Sequence, residues 1–353
     1  MTRMSIQTRT IQGMLAAMFV FVATGIAEAA PKLQVGDAAP AFGDVTWVLP
    51  TEGVDVDMAD GKVHIVEFWT TSCRYCKLSI PHLSRLQQEW GAERLQIIGV
   101  TDEEEADVRP WVDRNMPQLK YSIAVSGSRG PQRTWFKAAK LEGVPQVFIV
   151  GPRGRIQFIG HPADPDFDMT LTKVMKGRFD AAKHQEAETL FEDLRRDYER
   201  KNWRQYEKTA KKIIAISPKV FIKTQVDLFE TQLVQMKNPE VAYEGATAFV
   251  DARIDSDPEG VLFLADRIVD DPDIPDEQRR LDFALDIATR VLERFEKPSE
   301  QARALKTIAA VHFKKGDVAE AAKTAKKAYQ WAPAEVKDDY RTQWMAYKQH
   351  DKG

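Results

Sequence analysis

Phe68-Trp69-Thr70-Thr71-Ser72-Cys73-Arg74-Tyr75-Cys76-Lys77 holds both cysteines of a 353-residue chain. It closes the apolar run Val63 to Trp69 and opens the amphipathic stretch Tyr75 to Trp90, so the spacing predicts a strand turning directly into a helix. That placement dictates the chemistry of the pair. The first sulfur stands at a helix N-terminus, where unpaired amides and the macrodipole favour thiolate, and the second lies one turn in, within reach of the first. Arg74 and Lys77 add positive charge and are expected to lower the pKa of the Cys73 thiol; the bland alternative is two solvated side chains. A purely structural bridge over two residues would restrain the unfolded chain little. A zinc site needs two more ligands at metal spacing, and only His64 and His82 are near in sequence.

On either side of this stretch, residues 31 to about 170 alternate β-rich runs with helical patterns, as βα units around a mostly parallel sheet do. Strands are predicted at Val63 to Trp69, Leu95 to Thr101, Ser122 to Val125, Gln146 to Val150 and Ile156 to Gly160. Helices are predicted at about Tyr75 to Trp90, Ala106 to Asn115 and Gln132 to Ala139. Pro110 belongs in the first turn of the middle helix, or that helix starts later. Gly151-Pro152-Arg153-Gly154 is turn chemistry that makes an antiparallel hairpin of the last two strands. The acidic run Asp102 to Glu105 reads as a helix start, Trp135 as packing, and His161 as a surface or hinge residue.

Beyond about residue 175 the pattern becomes helical throughout. In Ala302 to Pro333, the residues Leu305, Ile308, Ala309, Gly316, Ala321, Ala325 and Ala328 resemble a tetratricopeptide repeat. Small residues suit the places where antiparallel helices touch, Gly316 permits the turn, and Pro333 stops the second helix. A weaker copy ends at Pro218, with Tyr206, Ala210 and Ile213 on its second helix. Pairs near 220–253 and 259–295 complete about four helical hairpins, closed by a polar helix near Ala334 to Gln349.

Composition narrows the class further. Lys plus Arg is 50 against Asp plus Glu 53, a net charge of -3, so no basic balance argues for nucleic acid. A mean hydropathy of -0.41 excludes a polytopic membrane protein. The first 29 residues read as a secretory signal: Arg3 and Arg9 in a basic start, an apolar core from Met14 to Ile26, and Ala27-Glu28-Ala29 as the cleavage site. Its apolar run is short for an uncleaved membrane anchor, the competing reading. Export to the periplasm follows, where disulfides persist. The expected organisation is a signal over 1–29, a sheet domain over 30–170 and a helical domain over 171–353.

The cysteine stretch, Pro81 five residues after Cys76, and Gly143-Val144-Pro145 ahead of an apolar strand together resemble a thioredoxin fold. Val35-Gly36-Asp37-Ala38-Ala39-Pro40-Ala41-Phe42, Gly61-Lys62 and Gly99-Val100-Thr101 make residues 33 to 163 similar to the extracytoplasmic TlpA/ResA group. The resemblance implies an α/β thioredoxin-like domain followed by the all-α, tetratricopeptide-like one. It implies that Cys73 is the attacking thiolate and Cys76 the resolving thiol, and that Pro145 is a cis-proline leaving the Val144 backbone free to pair with an extended substrate. Glu67 falls where thioredoxins keep a buried acid that assists deprotonation of the resolving cysteine.

Two departures leave the redox potential open between about -270 and -120 mV: Ser72 stands in place of the usual Trp, and Arg74-Tyr75 in place of Gly-Pro. Thr70 also echoes a peroxiredoxin site, but Val66 stands where its proline is expected. The expected activity is therefore thiol:disulfide exchange, with reductase the first direction and isomerase or oxidase the second. Its partners are protein thiols and disulfides and a membrane electron donor. The repeats would hold a protein partner or a second copy, and a docking protein with a secondary redox role is the alternative from another class. No bound cofactor and no metal is implied.

Overall fold

The sheet is built from strands whose apolar residues occupy both faces. The structure, a computed structural model, describes residues 32–351 except 52, 53, 55 and 116; the signal reading of residues 1–29 lies outside them. Six strands, β1 (Val45–Leu49), β2 (Val63–Phe68), β3 (Leu95–Thr101), β4 (Ser122–Ser126), β5 (Gln146–Val150) and β6 (Ile156–Gly160), form one sheet in the order β1-β4-β3-β2-β5-β6. β2, β3 and β4 run parallel, whereas β1, β5 and β6 each pair antiparallel to their neighbours. Every residue of β2 and β3 is buried, as expected of central strands covered on both faces.

Helices α1 (Arg74–Trp90), α2 (Glu105–Asn115) and α3 (Pro165–Met175) pack on one face of the sheet. Val63, Ile65, Ile97, Val147 and Ile149 meet Ile80, Leu83, Val108, Val112 and Phe167 there. The alternate residues Val66, Phe68, Ile98, Val100 and Phe148 point the other way, onto Phe42, Trp135 and Phe136. The helix predicted from Gln132 to Ala139 is present over Gln132–Lys137, wound with the wider π geometry, and it seats Trp135 fully inside this second core. The strand β1 has no counterpart among the predicted strands: as an edge strand it is only partly buried and lacks a continuous apolar run. Pro110 is the sixth residue of α2, not in its first turn. Both Pro110 and Ala106, whose carbonyl loses its helical partner, are exposed, so water can satisfy that oxygen.

After α3, which runs across residue 170, helices α4 (Ala181–Glu199), α5 (Trp203–Ile216), α6 (Ile222–Glu230), α7 (Pro239–Arg253), α8 (Pro258–Asp270), α9 (Leu281–Arg294), α10 (Pro298–Lys314), α11 (Val318–Trp331) and α12 (Lys337–His350) follow. They pack as successive pairs, α4 with α5, α6 with α7, α8 with α9 and α10 with α11, with α12 against α11. Ala302, Ala321, Ala325 and Ala328 are buried between helices, and Gly316 takes φ +86° in the turn between α10 and α11. Among the described residues no helix is long and apolar enough to cross a membrane.

Charged residues after α3 reach across to α8. Lys176 donates to Glu259 at 2.7 and 2.8 Å, and Arg178 pairs with both Asp257 and Glu259. Asp257 also caps α8 by accepting from the Gly260 amide at 3.1 Å. Asp257→Ala removes the cap and leaves Arg178 short of one counter-ion, with an expected loss of about 2 kcal/mol in stability. Urea unfolding checks this, and an unchanged midpoint would contradict it.

Candidate active site

Cys73 is the N-cap of α1, in extended backbone conformation with φ -70° and ψ 114°. Its Sγ accepts the Cys76 amide at 3.0 Å, so a donor at the helix N-terminus points at the sulfur. Cys73 and Cys76 are joined in a disulfide. Their environments differ: Cys73 is partly exposed, whereas Cys76 is fully buried under the sheet-facing side of α1. The Val144–Pro145 peptide is cis, and the Val144 carbonyl oxygen lies 3.5 Å from the Cys73 sulfur. Thus residues 71 positions apart in the chain meet at the outer sulfur.

The other predicted site residues divide by location. Arg74 and Lys77 project from the exposed side of α1, and among the described residues neither forms an ion pair. Tyr75 and Leu78, 63% and 68% exposed, add apolar surface beside them. His64 and His82 are engaged elsewhere, with Asp60 at 2.8 Å and Asp168 at 2.9 Å.

Glu67 is completely buried on β2 and faces α1. Its Oε1 accepts the Ser79 hydroxyl at 2.7 Å and its Oε2 the Tyr121 hydroxyl at 2.8 Å. Burial raises its pKa from the ordinary 4.5 to about 7, against the two hydrogen bonds, which lower it. The Ser79 oxygen also lies 2.9 Å from the Cys76 carbonyl oxygen. Sequence reading singled out neither Ser79 nor Tyr121. It also missed Glu103, whose carboxylate accepts the Thr71 amide and hydroxyl, both at 2.7 Å, and ties down the loop leading to Cys73. The acidic run that contains Glu103 was the available signal, but its target lies 32 residues away.

A thioredoxin-like sheet, a Cys-x-x-Cys pair at the mouth of α1 and a cis-proline loop against the outer sulfur define a thiol–disulfide oxidoreductase. A model of the AhpC/TSA family matches residues 35–159. Protein FixW of Rhizobium leguminosarum is 29% identical over 167 residues, covering 44% of this chain and 72% of its own. The thiol-disulfide oxidoreductase ResA of Bacillus thuringiensis is 26% identical over 153 residues, 40% of this chain and 80% of its own. The thioredoxin-like protein YneN of Bacillus subtilis is 32% identical over 131 residues, 36% of this chain and 71% of its own. The chain belongs to the thioredoxin-like, ResA-type thiol–disulfide oxidoreductases.

Proposed function

We propose that the protein is an exported reductase of protein disulfides, with Cys73 as nucleophile and Cys76 as resolving thiol. The observation that carries this reading is the asymmetry of the pair, one sulfur accessible beside the Val144 carbonyl and the other buried. In the reduced protein, the Cys73 thiolate attacks one sulfur of a substrate disulfide, forms a mixed disulfide and expels the second substrate sulfur as thiolate. Cys76 then gives up its proton, with the Glu67 carboxylate as the base that assists, and its thiolate attacks the Cys73 sulfur. That attack breaks the bond between Cys73 and the first substrate sulfur, which leaves as thiolate, and the protein keeps the Cys73–Cys76 disulfide after passing two electrons to the substrate.

In this reading the Val144 backbone pairs with an extended substrate segment opposite Pro145. Arg74 and Lys77 hold the Cys73 pKa down, adding to the Cys76 amide that already points at the sulfur. The export assignment rests on the signal pattern over residues 1–29, ahead of a sheet domain over 30–170. A membrane electron donor returns the disulfide to the dithiol, because the compartment is oxidising. Residues 171–353 act as a tetratricopeptide-like docking domain for a protein partner or a second copy. Isomerase or oxidase is the second direction, favoured by Tyr75 between the cysteines, which resembles extracytoplasmic isomerases.

The deciding measurement is the equilibrium potential of the pair, titrated against glutathione or dithiothreitol. The expected value lies toward the reducing end, about -270 mV. A value near -120 mV would transfer the assignment to an oxidase or isomerase.

A further inference from the structure

The proton acceptor of the proposed reaction is held by side chains that the Cys-x-x-Cys stretch does not contain. On the α1 face of the sheet, Glu67 of β2 sits directly opposite Gly99 of β3, which in turn sits opposite Ile123 of β4. A Cβ at position 99 would come within 2.8 Å of Ile123 Cδ1, 3.1 Å of Trp69 Nε1 and 3.2 Å of Tyr121 Cε2. The glycine therefore leaves the space beside β3 that the Tyr121 ring occupies on its way to Glu67. From the opposite side, Ser79 descends from α1, one turn beyond Cys76, onto the other carboxyl oxygen.

We propose that Tyr121 and Ser79 are positioning residues that set the pH at which Glu67 accepts a proton, and that Gly99 is the gap in the sheet that admits Tyr121. The inference rests on the reading of Glu67 as the base of the resolving step.

The two hydroxyls have different tasks. Burial and the neighbouring carboxylate push the Tyr121 phenol well above its ordinary pKa, so it stays a donor whenever Glu67 titrates. Its hydrogen bond strengthens as Glu67 becomes negative, which favours the carboxylate. Ser79 has a single proton and two acceptors within reach, Glu67 Oε1 at 2.7 Å and the Cys76 carbonyl at 2.9 Å. With Glu67 ionised, the serine proton goes to the carboxylate. With Glu67 protonated, the carboxyl proton goes to Ser79 Oγ and the serine turns its own to the Cys76 carbonyl. Ser79 is thus satisfied in both states, and it couples the protonation of Glu67 to the backbone of the resolving cysteine.

The test compares full-length wild type with Tyr121→Phe, Ser79→Ala, Gly99→Ala and Glu67→Gln. Two readouts are followed against pH: the rate at which Cys76 resolves a preformed mixed disulfide, and the carboxyl band of Glu67 by difference infrared spectroscopy, with Glu67→Gln as blank. Tyr121→Phe keeps the ring and loses the donor, so both midpoints should rise by about one pH unit, a tenfold drop in carboxylate to carboxyl ratio at fixed pH. Ser79→Ala should move them upward by less, because it removes a hydrogen bond from both protonation states. Gly99→Ala, which crowds the ring without touching the hydroxyl, should shift them in the direction of Tyr121→Phe and supplies the measurement should that variant fail to fold.

An infrared midpoint unmoved in Tyr121→Phe, or in Gly99→Ala as its substitute, overturns the inference. A resolving rate indifferent to Glu67→Gln overturns instead the reading of Glu67 as base, while the infrared midpoints still decide whether Tyr121 and Ser79 set its proton affinity.

Discussion

Cys73→Ser is expected to abolish disulfide exchange, while Cys76→Ser leaves the protein covalently joined to its substrate. The difference follows from burial, because the only other cysteine in the sequence is Cys76, and its sulfur is fully buried. With Cys73 replaced, Cys76 stays beneath α1, fully buried, and cannot meet a disulfide on another protein. With Cys76 replaced, Cys73 keeps its exposure and its place beside the Val144 carbonyl, so the attack still occurs. What is lost is the intramolecular thiol that outcompetes any thiol in solution, by an effective concentration far above that of a dilute reagent. The mixed disulfide then persists until an external thiol cleaves it. Non-reducing electrophoresis with mass spectrometry reads both outcomes: no adduct for Cys73→Ser, a stoichiometric adduct at Cys73 for Cys76→Ser. Wild-type turnover in either variant would sink the assignment of the pair.

Glu67→Gln should make the protein more stable in alkaline solution and leave it nearly unchanged in acid. The Glu67 pKa lies at about 7 in the folded chain and at the ordinary 4.5 when the carboxyl is released to water. Between these values the folded protein holds a proton that the unfolded chain has lost, so wild-type stability falls as pH rises through this window. Above it the buried carboxylate costs about 3 kcal/mol relative to a group that cannot ionise. Glutamine has nearly the same shape and suits the site: its carbonyl oxygen accepts from Tyr121, and its amide donates to Ser79, which turns to the Cys76 carbonyl. Urea midpoints at pH 4 and pH 9 provide the test. Equal slopes of stability against pH in the two proteins would show that Glu67 does not titrate in this range.

These two expectations draw on different sources. The Cys73–Cys76 pair, the strand before it and the helix after it were legible from the residues alone, since an apolar run, a Cys-x-x-Cys pair and a 3.6-residue periodicity are local signals. β2 to β6 and most helices of the second half fall where apolar periodicity put them, because they bury apolar residues on at least one face. The edge strand β1 has only a partial one and left no such trace. Pro110 misled because the cost of a proline inside a helix depends on whether the freed carbonyl reaches water, and that is a property of the folded surface.

The surroundings of Glu67 were beyond any local pattern. An acid six residues before Cys73 could be marked as a base, but not supplied with its partners: Ser79 is 12 residues away and Tyr121 is 54. The same holds for Glu103, whose hold on Thr71 spans 32 residues, and for the approach of Val144 to Cys73 across 71. By itself the sequence determined the Cys-x-x-Cys pair, the order of the main strands and helices and the change from sheet to helices, because these follow from neighbours along the chain. Tertiary structure alone decided which sulfur is buried, which hydroxyls reach the carboxyl and what proton affinity results, because desolvation and hydrogen bonding depend on what the parallel crossovers bring across the sheet.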